Sequence, residues 1–433
     1  MINVYLIFCV AFAFIGYFTE KNIFNPVTMM TVLWGGIVYL SRLGLYGLYI
    51  ANERTYLMVT IGIYTFVFSY YISKLILKVK SSQSKSNIFQ HNNLSKINVN
   101  YRVIYFLYLI CICYVIIKLS QRGLYNVIGT GFNLASISSD IQSNSNNVGG
   151  LISLVGFWIA TPLYFPLMIM SLTDYIFGNK DRWLIFLNIA LMSGRILLYG
   201  GRYPFIQLII TILLLMSFKN RHKYSLKSTA RYLLALIMGL LIFMILTNSK
   251  TQASLKTLYL YFAMQPIQFQ TWAGVIDMNG SYSYGSASLF GFFHPILYVI
   301  ENLNGNVMPT FFSNIYNNIQ NTFNIWIPIG DTLNANAYTS IFWYLYYDGR
   351  LIGIIVGMLV FGVVACLTYN RAYDSNDPQK IANYIMVAFC LIYTFTDMEM
   401  YKYDFALGLI YLNVLIFSKY GMYVEENDFS NFK

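Results

Sequence analysis

Long apolar segments recur along the chain, separated by polar stretches. A transmembrane helix needs about 17–25 consecutive and mostly apolar residues. Segments of this kind lie at about 3–19, 25–50, 55–73, 101–119, 148–172, 183–199, 203–218, 232–247, 350–370, 381–396 and 404–420. The pattern predicts an all-α, polytopic transmembrane helix bundle of about 11 spans, within a range of roughly 10–12, that forms a single integral membrane domain over residues 1–433.

Composition agrees with a membrane protein. The chain is 57% hydrophobic and only 10% charged, whereas a soluble globular domain is about 25% charged. Soluble domains built from 433 residues would need far more charge on their surfaces. Such an apolar chain is also not an intrinsically disordered one, and its five cysteines are too few for a disulfide scaffold.

The net charge of +11 comes from two polar loops. The loop at 74–102 has six basic residues and the loop at 219–231 has five, and neither has an acidic residue. Basic loops normally face the cytoplasm, and the four predicted spans between them are the even number that a shared side requires. The segments at 120–147 and 248–349 are then expected to face outward. Without interleaved aromatic residues, the basic loops favour contact with membrane lipids over nucleic acid.

No metal or cofactor site is expected. All five cysteines lie in apolar segments, and the histidines form no HExxH or clustered pattern. Motifs for nucleotide binding and serine hydrolysis are also absent in any usable context. Two histidines lie in the basic loops, so His294, in the large outward segment, is the histidine with a predicted chemical role.

Two arginines lie near the outward ends of predicted spans. Arg195 lies inside the segment 183–199, and Arg202 stands at the head of the next segment. Ionisable groups inside spans are costly and are often functional. A guanidinium also matches the oxygens of a phosphate in bidentate fashion. The alternative for Arg202 is ordinary snorkelling beside the turn that precedes it.

Two further polar clusters lie at the outward ends of predicted spans. They are formed by Asn334, Asn336, Thr339, Asp348 and Arg350, and by Asp397, Glu399, Lys402 and Asp404. The first cluster is also compatible with a helix start that carries local charge pairing, and the second with a solvated hairpin tip. The large outward segment is rich in Asn, Tyr and Phe, residue types that hydrogen-bond or stack on sugars, although aromatic residues also form the interfacial belts of membrane proteins.

These features together resemble the Wzy-type polymerases, which join O-antigen or capsule oligosaccharide repeat units at bacterial inner membranes. The similarity of topology covers nearly the whole chain. The local motifs are GGRYPFIQLIITILLL around Arg202, and Asn336 to Thr339 followed by Asp348, Gly349 and Gly353. The resemblance implies a GT-C-like bundle with its active side in the periplasm. There a metal-independent glycosyltransferase would move the growing glycan from undecaprenyl diphosphate to a hydroxyl of the incoming lipid-linked unit.

The resemblance also implies roles for the candidate residues. Arg195 and Arg202, joined by Arg350, would bind the diphosphate, and either His294 or Asp348 would act on the acceptor hydroxyl. The glycan would be bound by Asn336, Thr339, Asp397 and Glu399. The implied partners are the lipid-linked oligosaccharide and a protein that regulates chain length.

Two other functions are compatible with the sequence. An O-antigen ligase has a similar bundle and transfers the finished glycan to lipid A core. A flippase for lipid-linked repeat units would also be polytopic, but transporters usually contain internal repeats. No convincing repeat is found here, and the single large outward segment breaks any symmetry between the halves.

Overall fold

A computed structural model describes residues 2–84, 100–121, 150–199, 203–219, 251–305, 307–375 and 377–417. These residues form fourteen helices and one antiparallel β-hairpin. The helices are α1 (Ile2–Glu20), α2 (Pro26–Leu43), α3 (Glu53–Ser84), α4 (Tyr101–Gln121), α5 (Leu151–Phe177), α6 (Arg182–Tyr199), α7 (Tyr203–Lys219), α8 (Thr251–Ala263), α9 (Gln265–Met278), α10 (Phe290–Leu303), α11 (Thr310–Asn324), α12 (Ser340–Tyr373), α13 (Pro378–Tyr393) and α14 (Tyr403–Ile416). The hairpin strands are β1 (Ile327–Gly330) and β2 (Leu333–Ala335).

Five helices are long and apolar enough to cross a membrane: α3, α4, α5, α6 and α12. Shorter apolar helices are α1, α7 and α14. A polytopic helical membrane protein is therefore confirmed in outline. Ten of the eleven predicted spans coincide with helices, and the segment at 232–247 lies outside the described residues.

Several boundaries differ from the sequence prediction, since α2 ends at Leu43 and α3 continues to Ser84. Helix α12 begins at Ser340, ten residues before the predicted span at 350–370. The outward segment at 248–349, which the sequence presents as one long loop, contains α8 to α11 and the β-hairpin. The sequence favoured an amphipathic helix over the run SLFGFFHPILYVI, which is confirmed as α10. The other helices were missed because their apolar residues are interrupted by polar ones, which break the hydropathy signal of a span.

Polar contacts join α1, α3 and α7. Lys74, in the last third of α3, forms an ion pair with Glu20 at the end of α1. Ser217, near the end of α7, donates a hydrogen bond of 2.8 Å to the side-chain oxygen of Asn22. Lys74 of α3 and the ends of α1 and α7 therefore lie close together.

Helix α12 folds back on itself at Gly349 and Arg350. Arg350 has a φ of 56° and a ψ of −138°, outside the helical region. A Cβ at Gly353 would overlap the carbonyl oxygen of Leu345. Residues eight apart on a continuous helix are separated by about 12 Å along its axis, so this contact requires a reversal. The first half, 340–348, is buried throughout, which suits an irregular backbone in a membrane protein.

Both halves of α12 pack against α3. Gly62 of α3 faces Phe342 from the first half and Ile354 from the second. The ring of Trp34, on α2, lies 4.6 Å from that of Phe342 at nearly right angles. The indole N–H of Trp34 donates a hydrogen bond of 3.0 Å to Thr394, just after α13. These contacts join helices α2, α3, α12 and α13 in one packed core.

Replacing Gly353 by alanine should destabilise the protein by about 1–3 kcal/mol, because the new Cβ forces the two halves of α12 apart. At Gly36 of α2, a Cβ would have no atom within 4 Å. Gly36→Ala is therefore the matched control and should leave stability unchanged or raise it by up to about 1 kcal/mol. Thermal unfolding in detergent measures both, and equal melting temperatures would contradict the reversal.

Candidate functional site

A buried ion cluster lies between α13 and α14. The ammonium of Lys402 is 3.1 Å from Asp397 Oδ2 and 2.8 Å from Glu399 Oε1. The side chains of Asp397 and Glu399 are 9% and 3% exposed. The hydroxyl of Tyr203, in the first turn of α7, donates a hydrogen bond of 3.4 Å to Glu399. The two acids therefore do not lie at a solvated hairpin tip, because the structure buries them around one lysine.

Burial tunes the protonation of this cluster. Desolvation raises the pKa of Glu399 to about 7, because it outweighs the stabilising charge of Lys402. Burial alone would lower the pKa of Lys402, but Asp397 and Glu399 outweigh it and hold that pKa well above its ordinary value. Lys402 therefore stays charged, and the cluster exchanges a proton near neutral pH through Glu399.

Arg195 is a buried cation with an incomplete set of partners. Its guanidinium lies 4.5 Å from the ring centroid of Tyr164, on α5, and Nη1 is 3.6 Å from the sulfur of Met192. Its Nε has no hydrogen-bond partner in the described structure. No carboxylate of the described residues lies within 4.0 Å of its nitrogens, although the charge of Asp404 acts on it from farther away. Burying a cation without a counter-ion costs free energy, and binding of an anionic ligand would offset that cost.

His294 of α10 is surrounded by aromatic rings. Ring centroids lie 5.3 Å away for Tyr403, 5.5 Å for Phe157, 5.6 Å for Phe290 and 6.0 Å for Tyr316. The Tyr316 ring is parallel to the imidazole within 5°. Phe157 lies in a π-helical turn of α5, Gly156–Ala160, a local widening that is frequent at functional sites. Burial lowers the pKa of His294, which leaves the imidazole neutral at pH 7.

Packing contacts and one longer-range charge interaction connect these three groups. Tyr403, which packs on His294, precedes Asp404, the acid whose charge acts on Arg195. A Cβ at Gly291, one turn before His294, would overlap the carbonyl oxygens of Met400 and Lys402. Helix α10 therefore packs directly against the turn that contains the ion cluster. Arg195, His294 and the cluster thus lie in one region, at the end of the bundle where α6 and α13 finish.

Asp348 lies at the end of the buried half of α12. Its carboxylate accepts hydrogen bonds from the hydroxyl of Ser283 at 2.6 Å, the N–H of Ala287 at 3.0 Å and the N–H of Ser288 at 3.3 Å. Its carbonyl oxygen accepts a further bond of 3.1 Å from the N–H of Tyr284. The side chain of Asp348 therefore anchors the loop that leads into α10. In the described structure, none of its hydrogen bonds is to His294.

Arg350 lies in a different group from Arg195. It forms an ion pair of 2.8 Å with Asp277 and donates a hydrogen bond of 3.0 Å to the carbonyl of Ile276, both on α9. Its guanidinium also lies over the ring of Tyr282 at 4.5 Å. The sequence did not indicate Asp277 as the partner, because 73 residues separate it from Arg350 and neither side of the pair stands in a recognisable motif.

The remaining predicted residues lie at the approach to α12. Asn336 donates a hydrogen bond to the carbonyl of Phe323. The Thr339 hydroxyl is buried and has no hydrogen-bond partner within the described ranges. The N–H of Ser340 donates to the carbonyl of Thr396, which brings this approach beside the ion cluster. Arg202 lies outside the described residues.

In the described part of the chain, no group of three or more His, Cys, Asp or Glu residues could hold a metal ion.

Comparison with known protein families, curated proteins and solved structures finds no match. Function therefore has to be inferred from the chemistry of these side chains. The aromatic rings around His294 are the informative feature that the sequence left ungrouped, because they come from four separate elements.

Replacing Lys402 by methionine should destabilise the protein by about 3–5 kcal/mol, because two carboxylates then remain buried without their shared cation. Lys380→Met is the control, since Lys380 is exposed and lies 3.9 Å from its acid; its cost should stay within about 1 kcal/mol. Adding Glu399→Gln to the Lys402 variant should restore part of the loss. Equal unfolding temperatures for the two lysine variants would contradict the cluster's role.

Proposed function

We propose that the protein is a membrane glycosyltransferase that polymerises lipid-linked oligosaccharide repeat units. The growing glycan would leave its undecaprenyl diphosphate and be joined to a hydroxyl of the incoming lipid-linked unit. The observation that carries this proposal is the guanidinium of Arg195, buried and without a carboxylate in ion-pair range among the described residues. A diphosphate supplies the missing negative charge and accepts hydrogen bonds in bidentate fashion.

The proposed reaction makes one glycosidic bond and breaks one. The acceptor oxygen attacks the anomeric carbon of the donor sugar, and the bond from that carbon to the diphosphate breaks. The electron pair of the broken bond ends on the diphosphate, where Arg195, with Arg202 as the predicted second cation, stabilises the developing charge. The proton of the acceptor hydroxyl passes to a base of the protein.

His294 suits the role of this base better than Asp348 does. Its imidazole is neutral at pH 7, and no hydrogen bond to it occurs within the described structure. A neutral imidazole within reach of a hydroxyl can accept its proton. The carboxylate of Asp348 already accepts three hydrogen bonds from the loop before α10. We therefore assign Asp348 a positioning role in the proposal.

Aromatic and polar groups supply a surface for sugars. The ring of Phe157 stacks on Tyr403 at 4.2 Å and on Tyr298 at 4.4 Å, and these rings adjoin His294. Flat aromatic surfaces of this kind suit the apolar faces of sugar rings. Asp397 and Glu399, with the approach residues Asn336 and Thr339, are the proposed partners of glycan hydroxyls. The proposed location is a bacterial inner membrane, with this end of the bundle in the periplasm and a chain-length regulator as partner.

One observation favours a second function. Asp397, Glu399 and Lys402 form a buried charged cluster, in which burial raises the pKa of Glu399 to about 7. Buried carboxylates of this kind serve as proton relays in transporters, which suits a proton-coupled transporter of lipid-linked units. Purified protein in detergent separates the two functions, because no membrane divides the sample. Growth of glycan chains from lipid-linked units without nucleotide sugars supports the polymerase. Transfer to lipid A core alone supports the ligase, and no product at all supports the transporter.

Arg195→Gln should reduce chain growth by about 100-fold or more, because the leaving diphosphate loses its charge-stabilising partner. Arg182→Gln is the matched control, since Arg182 lies on the same helix but is exposed. The measurement is the ladder of products formed by each purified variant, with folding verified by thermal unfolding. A wild-type ladder from a folded Arg195 variant would contradict the diphosphate site.

His294→Asn should lower the rate by about 100-fold or more and change its dependence on pH. The wild-type rate should fall on acidification through the pKa of His294, which lies below its ordinary 6.5, because protonation removes the base. The variant should lose that acid limb. Asp348→Asn should instead lower stability and retain the limb. Loss of the limb in the Asp348 variant alone would reverse the assignment of the base.

A further inference from the structure

A separate cavity lies beside the reversal of α12. Its volume is about 320 Å³, and it opens between the start of α3, the end of α9 and the residues just after the reversal. Its polar lining is formed by Arg54, Asp277, Tyr346 and Arg350, and its apolar lining includes Leu57 and Leu351. None of these residues contacts Arg195 or His294 in the described structure, so the cavity is distinct from the candidate site above.

Arg350 presents unused donor capacity at this cavity. Its Nε is committed to Asp277 at 2.8 Å and its Nη2 to the carbonyl of Ile276 at 3.0 Å. Its Nη1 is buried and has no hydrogen-bond partner among the described residues. The residue keeps a φ of 56°, a left-handed conformation that is unfavourable for a side chain other than glycine. Strained residues of this kind are concentrated at binding sites.

Arg54 adds a second cation. It lies in the first turn of α3, is exposed, and makes one long hydrogen bond of 3.5 Å to the hydroxyl of Tyr346. The neighbouring acid, Glu53, pairs with Arg42 instead. The one carboxylate in the cavity, Asp277, is engaged by Arg350 and by the Tyr346 hydroxyl at 2.8 Å. The cavity therefore carries an excess of one positive charge.

Apolar residues of α3 and α12 lie next to these charges in the chain. Leu57 and Leu351 are each 37% exposed, and Ile352 is 71% exposed. They belong to α3 and to the second half of α12, two helices that are long and apolar enough to span a membrane. A lipid whose anionic headgroup is held by the arginines would therefore extend its hydrocarbon chain along these two helices.

We propose that this cavity binds the phosphate of a membrane lipid whose headgroup carries a net negative charge, with Arg54 and Arg350 as the cations that line it. A lipid phosphate is favoured over a free anion because Leu57 and Leu351, which also line the cavity, suit the apolar chain of a lipid beside its headgroup. The site lies outside the proposed glycosyl transfer, and its occupation does not depend on that function.

The test measures lipid binding through thermal unfolding of the full chain in an uncharged detergent. Phosphatidylglycerol, a polyprenyl phosphate, phosphatidylcholine and inorganic phosphate are titrated separately, because a ligand that binds the folded state raises the melting temperature. We expect an anionic lipid to raise it, and Arg54→Gln and Arg350→Gln each to weaken the apparent affinity about tenfold. Arg371→Gln, an exposed arginine at the far end of α12, should leave the affinity within about twofold.

Each outcome bears on the proposal. A preference for phosphatidylglycerol identifies a bilayer lipid, and a preference for the polyprenyl phosphate identifies a lipid carrier. An equal effect of phosphatidylcholine would overturn the anionic site, and an equal effect of inorganic phosphate would overturn its lipid character. Arg350→Gln removes folding contacts, but Arg54→Gln removes one long hydrogen bond at the surface. Unchanged affinity in a folded Arg54 variant would therefore overturn the site.

Discussion

The carboxylate of Asp348 is the group on which the arrangement of the candidate site depends. It stands where the buried half of α12 ends, and it accepts three hydrogen bonds from the loop at 283–288. The carbonyls of Tyr347 and Asp348, unpaired at a helix end, accept two backbone N–H groups from the same loop. That loop continues directly into α10. These bonds therefore fix the position of His294 and the packing of Gly291 against the turn that contains Lys402.

Two kinds of buried charge lie beyond this anchor, and they are stabilised differently. The ion cluster compensates itself, since Lys402 pairs with two acids and Glu399 can hold a proton near neutral pH. Arg195 has no such compensation among the described residues, apart from the face of Tyr164 and the distant charge of Asp404. Burying an ion costs several kcal/mol unless a partner offsets it. The cluster is therefore stable at little cost in free energy without a bound ligand. Arg195, in contrast, is stabilised most when an anion is bound.

The sequence predicted the helices better than their grouping. Lipid-facing helices must be apolar, as α4 shows with Phe106 and Leu109 about 60% exposed, so hydropathy located most of them. It missed the start of α12 because tyrosine and an Asp-Gly-Arg sequence there have the composition of an interfacial loop. Charged residues in apolar surroundings were visible locally, which is why Arg195 and Asp348 were named. Their partners were not, because Ser283 lies 65 residues from Asp348 and nothing nearby indicates the reversal that brings them together.

The separation of Arg195 from Arg350 has an energetic consequence. Arg350 already has a carboxylate at 2.8 Å, so an arriving anion gains only the attraction that Asp277 leaves over, and exchange with the surrounding lipid stays fast. Arg195 has no carboxylate in ion-pair range within the described structure, so the same anion gains nearly the full attraction in a medium of low dielectric constant. Under the two proposals, the site at Arg195 would bind an anion more tightly than the site at Arg350. The proposed transferase would need that difference in affinity, because it would have to hold a leaving diphosphate among anionic lipids.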